Sequence, residues 1–215
     1  SPFCALSPSL CRFFTRSYKR RHGVSPEIAF RWVMQMMEGV QHLHDRGIRV
    51  VDLNEMNFLL SPGKDVVHFI DVDSYQTQRF PATAISESVR DRHAPAGVFG
   101  EGTDWFSFAV VTFQLMVGIH PYRGKHPEVK GWGPRMEAHL SVFDPSVRVP
   151  SSCESVEVIP QPFRDWYRAV LDDGVREPPP QAHLPIWSRG QVRTSQVAAG
   201  RLKMVSQTTL DGPLL

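Results

Sequence analysis

The sequence predicts a mainly α-helical domain with a few short β-strands, on three observations. Segments 25–46 and 105–117 carry apolar residues at helical spacing or throughout, the stretch between Ile48 and Ile70 breaks into short runs of β-formers, and the overall composition is that of a folded globular chain. The 215 residues are 41% hydrophobic, 21% charged and 10% aromatic, which excludes disorder, collagen and coiled coil. Lys plus Arg number 24 against 22 for Asp plus Glu, so bulk charge points to neither a nucleic-acid nor a membrane partner. The longest apolar stretch, Trp105 to Val117, includes Ser107, Thr112 and Gln114 and falls short of the roughly 20 residues that a membrane span needs. Cys4, Cys11 and Cys153 have irregular spacing and no metal-like pairing, which fits a reducing compartment; the expected location is the cytoplasm.

In chain order, residues 1–22 read as a short helix plus loop, with Arg12, Arg16, Lys19, Arg20 and Arg21 on a solvated face. Ser25 can cap a helix whose first position is Pro26, where the missing N–H costs nothing. Ile28, Trp32, Met36, Val40 and Leu43 continue it as one apolar stripe, and Gly47 stops it. Ile48–Val51, Phe58–Leu60 and Val66–Ile70 read as small strands, the last two joined by the turn Ser61-Pro62-Gly63-Lys64. Residues 74–103 show no sustained period, and a loop of that length inside a domain is usually functional. Asp104 then opens a helix that is apolar on all sides and therefore buried, ended by Gly118 and Pro121. A second irregular stretch leads to a helix at Gln161 to Leu171, with Phe163, Trp166, Tyr167, Val170 and Leu171 on its apolar face. Trp32, Trp105 and Trp166, with Met34, Met36 and Met37, are expected in the core.

The residues that suggest chemistry lie between Asp52 and Asp73. Asp52 follows an apolar run, Asn57 comes shortly after, and Asp71 ends the next hydrophobic run. One carboxylate can orient a hydroxyl nucleophile while an amide oxygen and a second carboxylate hold Mg²⁺ against phosphate oxygens, the division of labour that phosphoryl transfer requires. Asp and Asn also commonly start turns after strands, so each residue taken singly has a plainer explanation than the ordered set has.

Asp52-Leu53-Asn54-Glu55-Met56-Asn57 resembles the catalytic loop of protein kinases, and Phe69-Ile70-Asp71-Val72-Asp73 resembles the strand leading into their Asp-Phe-Gly motif. Leu43-His44-Asp45-Arg46-Gly47-Ile48, Ala94-Pro95-Ala96, Asp104-Trp105-Phe106-Ser107-Phe108 and His120-Pro121-Tyr122 extend the likeness over about residues 5–180. The Asp-Leu-Asn form followed by Asp-Val-Asp-Ser-Tyr-Gln is most similar to a bacterial branch of these kinases, some fused to helix-hairpin-helix segments. The resemblance implies the α+β carboxy-terminal lobe of the kinase fold without its amino-terminal lobe. Residues 1–24 would be a hinge-proximal segment and short helix, 25–180 the lobe, and 181–215 a linker, tail or start of another module. It further implies ATP and Mg²⁺ as cofactors, a protein substrate phosphorylated on Ser or Thr, Asp52 as catalytic base, and Asn57 and Asp71 as metal ligands. Asp104 would be structural, accepting backbone N–H groups from the catalytic loop, and Arg176 would match an arginine that pairs with the glutamate of the Ala-Pro-Glu motif.

Departures from the family pattern carry expectations of their own. Val50 and Val51 replace a histidine and an arginine, so no arginine is available there for an activation-loop phosphate. Asn54 stands where a lysine usually steadies the transferred phosphate, Asp73 replaces a glycine, and Ala96 replaces the glutamate, which is expected to leave Arg176 without its partner. No glycine precedes Gly23, and Lys19 lies in a basic run rather than a strand, so the glycine-rich loop and strand lysine of an amino-terminal lobe are not found here. The polypeptide as given is therefore expected to bind nucleotide weakly and transfer little phosphate. Two alternatives stay open: a pseudokinase or scaffold that keeps the lobe for binding, and a small-molecule phosphotransferase of the kinase-like superfamily.

Overall fold

The computed structural model describes residues 16–61, 66–82 and 84–181. The order of elements within them is helical with one small sheet: α1 (Arg16–Arg21), α2 (Pro26–His44), β1 (Phe58–Leu60), β2 (Val67–Phe69), α3 (Glu101–Val117), α4 (Trp132–Glu137) and α5 (Gln161–Leu171). The chain divides into two units, Ser1–Pro180 and Gln181–Leu215, and all of these elements belong to the first. Cys4, Cys11, Arg12, the Pro62–Lys64 part of the expected turn and the stretch beyond Gln181 lie outside the described residues. No helix among the described residues is long and apolar enough to cross a membrane.

Helix α2 begins where its cap requires. The Ser25 hydroxyl accepts the N–H of Ile28 and Pro26 takes the first turn. At the other end Ile48 N–H reaches the Leu43 carbonyl and Gly47 N–H the His44 carbonyl, a pairing that needs the left-handed backbone of Gly47 (φ 71°). The stripe buries Trp32, Met36 and Val40 against α3, the centre of the domain, with thirteen residues of α3 buried, Asp104 among them. α5 closes the far side: Phe163 stands edge-on to Phe30, and the Tyr167 hydroxyl donates to Thr112 Oγ1 at 2.8 Å.

Several sequence expectations change. Ile48–Val51 is not a strand; only Arg49 pairs, in a single bridge to Gln76. α3 starts at Glu101 rather than after Asp104, because Thr103 Oγ1 accepts the Gly100 N–H and completes the first turn. Gly102, which reads as a loop residue, is helical; a Cβ there would lie 2.9 Å from Arg176 Cβ, so only glycine lets the helix approach that backbone. α4 lies in a stretch with no helical period.

The solvated basic face is corrected at Lys19. Its side chain is 5% exposed, and Nζ donates to the carbonyls of Leu115 (3.1 Å) and Met116 (2.6 Å). These are carbonyls of the last turn of α3, which lack helical partners and carry the negative end of the helix dipole, so a buried cation is stabilised there. Lys19→Met is expected to strand both carbonyls and lower stability by about 1–3 kcal/mol in chemical denaturation; an unchanged unfolding midpoint would contradict this anchoring.

His120 ties the 75–100 segment to the end of α3. Its Nε2 donates to the Ser88 carbonyl at 2.8 Å, which leaves Nδ1 to accept the Tyr122 N–H at 3.2 Å. Burial, reinforced by the Arg123 and Arg135 charges and opposed by the Ser88 carbonyl, pushes its pKa down to about 4. The unfolded chain takes up this proton near pH 6.5, before the folded one does, so stability falls as pH drops from about 6.5 to about 4 and this loss then levels off. The loss attributable to His120 is about 3 kcal/mol, and His120→Gln is expected to remove it from the pH dependence of urea unfolding.

Candidate functional site

The site is organised by a carboxylate outside it. Asp104, fully buried in the first turns of α3, accepts Val50 N–H on Oδ2 (2.8 Å) and Val51 N–H on Oδ1 (2.9 Å). Its Oδ2 also receives His44 Nε2 at 2.8 Å, with the imidazole edge-on to Trp105. Because Asp104 only accepts, the His44 proton sits on Nε2. Between these contacts the main chain folds tightly: Asp52 N–H bonds the Val50 carbonyl at 2.8 Å across Val51, whose φ is 64°. A buried β-branched residue in that region is strained by roughly 1–3 kcal/mol. The charge-assisted bonds to Asp104 offset this cost, and the turn directs Asp52 out of the core.

Asp52 is half-buried and both its carboxylate oxygens are held. Oδ1 accepts Ser86 N–H at 2.8 Å and Oδ2 accepts Asn54 Nδ2 at 2.9 Å. Its carbonyl takes Asn57 Nδ2 at 2.8 Å, so the buried Asn57 amide has Oδ1 as its remaining acceptor. The Asn57 carbonyl accepts Ile70 N–H at 3.0 Å, next to the β1–β2 register pair Phe58 and Phe69. Asp71 follows directly, exposed and left-handed (φ 57°, ψ 55°), a conformation that Asp tolerates better than most residues. Asp52 thus sits in a tight loop and not at a strand end, whereas Asn57 and Asp71 flank the two strands.

Among the described residues no three His, Cys, Asp or Glu side chains converge on a metal position. Mg²⁺ does not require that: it is commonly held by one or two carboxylates with phosphate oxygens and water completing its shell. The Asp71 carboxylate and the Asn57 amide oxygen are a donor set of that hard, oxygen-only kind. Asp73, expected beside them as a further acid, is exposed in a 3-10 turn (Val72–Ser74).

Arg176 is not left without an acid. Its Nε and Nη2 donate to Asp91 Oδ2 (2.6 Å) and Oδ1 (2.9 Å), and its guanidinium lies over Phe106. The partner is five residues upstream of Ala96, where the family pattern placed it. Burial raises the Asp91 pKa, but the Arg176 hydrogen bonds and charge outweigh it and hold the carboxyl below the usual range. Beside Ser86 a groove of about 340 Å³ is lined by Ala84, Ile85, Glu87, Pro95 and Val98 among others.

Sequence reasoning assigned no role to His44, Ser86 or Asp91. His44 lies inside a motif that was recognised, whereas Ser86 and Asp91 lie in an aperiodic segment with no signal beyond its length.

Chemically, a carboxylate held on both oxygens can orient a hydroxyl, and an amide oxygen and a carboxylate are ligand types that suit a hard cation. A model of the protein kinase domain matches residues 8–173, and the chain belongs to that family. Among curated proteins it is similar to mitogen-activated protein kinase kinase kinase 11 of Rattus norvegicus and of Mus musculus, each 25% identical over 154 residues. The Homo sapiens protein of the same name aligns at the same identity. These alignments cover 65% of this chain and 17% of each relative, so the chain matches a small part of the length of these proteins.

Asp104→Ala is expected to release the two amides and His44 together and to lower stability by about 3 kcal/mol. A melting temperature equal to wild type would remove Asp104 as the anchor of the loop.

Proposed function

We propose that this chain serves phosphoryl transfer from Mg-ATP to a protein hydroxyl, on serine or threonine. The observation that carries the reading is the Asp52 carboxylate, fixed by two N–H donors and joined through its own carbonyl to the Asn57 amide. Asp52 accepts the hydrogen bond of the acceptor hydroxyl through its remaining lone pairs, orients it, and takes its proton as the bond to phosphorus forms. Asn57 and Asp71 would hold Mg²⁺ through oxygen, and the ion would neutralise charge on the phosphate oxygens. The groove next to Ser86 receives the acceptor chain, and its apolar walls at Ala84, Ile85, Pro95 and Val98 favour an apolar side chain near the phosphorylated residue. The kinase names of the relatives support a protein acceptor over a small molecule.

A second reading, nucleotide binding without transfer, is favoured by Asn54, which puts no positive charge beside Asp52.

In the intact protein, Asp52→Asn is expected to cut transfer by about 10²–10⁴-fold with nucleotide affinity preserved. Asp71→Asn is expected to abolish the Mg²⁺ dependence of nucleotide binding in calorimetry. An unchanged transfer rate in the first variant would remove Asp52 as base, and wild-type protein that binds Mg-ATP but transfers nothing would establish the second reading.

A further inference from the structure

Only one residue of the described 75–100 segment donates a hydrogen bond to Asp52, and the side chain that locks that contact is Asn54. Its side chain is buried, at 7% residue exposure, and its polar atoms are all engaged within the chain. Nδ2 donates to Asp52 Oδ2 (2.9 Å) and to Ser86 Oγ (3.2 Å), while Oδ1 accepts Met56 N–H (2.8 Å). Ser86 N–H returns to Asp52 Oδ1 (2.8 Å), closing a ring of three residues.

The inventory of donors decides what Asn54 can do. A carboxamide has two N–H bonds, and here one goes to the base and the other to Ser86, so neither is left for a bound phosphate. A lysine in this place would bring three donors and a charge on a mobile stem and could serve base and phosphate together. A neutral, doubly committed amide serves only the protein.

We infer that Asn54 is a positioning residue that sets the rotation of the Asp52 carboxylate and latches residue 86 onto it, without touching substrate. The position of the 75–100 segment is thereby coupled to the aim of Asp52: withdrawing Ser86 frees Oδ1 and removes the acceptor that holds Asn54. The kinetic side of this inference rests on the phosphoryl-transfer reading, and the structural side does not.

The test combines hydrogen exchange at the residue-86 amide, followed by NMR, with steady-state transfer from Mg-ATP. Asn54→Ala is expected to speed exchange of that amide about 10-fold while the amides of α2 and α3 keep their rates. It should also lower kcat by about 10–100-fold with KM for nucleotide within about twofold. Ser86→Ala, which removes Oγ and keeps the N–H to Asp52, should give the same pattern more weakly, and it carries the test if Asn54→Ala does not fold. Residue-86 exchange at the wild-type rate in a folded variant would overturn the inference, as would a raised KM with kcat unchanged, the mark of a substrate contact. If the wild-type protein transfers no phosphate, the proposed function fails, and the exchange rates still decide whether Asn54 positions Asp52.

Discussion

The buried carboxylate of Asp104 is the constraint on which the rest of the site depends. It receives two consecutive main-chain amides and an imidazole, and that convergence makes the left-handed backbone of a buried valine tolerable. Once Val50 and Val51 are held, the direction of Asp52 follows from the tight turn, and Asn57 follows from Asp52 through the bond to its carbonyl. The β1–β2 hairpin then carries the same frame to Asp71 through Ile70. Each link is short and made by main chain or a nearly buried side chain, so the site inherits the rigidity of α3.

Main-chain carbonyls receive the buried cations Lys19 and Arg135. Lys19 donates to the end of α3, and Arg135, 1% exposed, donates through Nε to Leu140 and through Nη1 to the Arg123 carbonyl. The half-buried Arg176 pairs with the Asp91 carboxylate and also donates to the main-chain carbonyls of Val170 and Val175. Carbonyls at helix ends and in irregular segments need donors in any case, so a long basic side chain satisfies them and packs its stem at the same time.

Much of the fold was legible because it is local. The Ser25-Pro26 start of α2, the all-apolar face of α3 and the stripe of α5 each declare themselves within a few turns of sequence. The hairpin at 58–60 and 67–69 was legible for the same reason, whereas the β-type run 48–51 was misread because a run of β-formers also suits a buried loop. In the site, the Asp52, Asn57 and Asp71 positions come from a recognisable order of residues. Ser86 on Asp52, Asp91 on Arg176 and Lys19 on Leu115 join positions far apart in the chain, and no local period encodes a contact of that range. The Ala94-Pro95-Ala96 likeness points to position 96 for the acid, whereas the acid that meets Arg176 is Asp91.

The Lys19 contact also sets a path for mechanical load. A pull applied at α1 would load not only the backbone leading into α2 but also the ammonium that grips the last turn of α3. Tension entering near the start of the described chain is therefore delivered to the same helix whose first turns hold Asp104, so that helix would act as a strut between the point of attachment and the loop that carries Asp52.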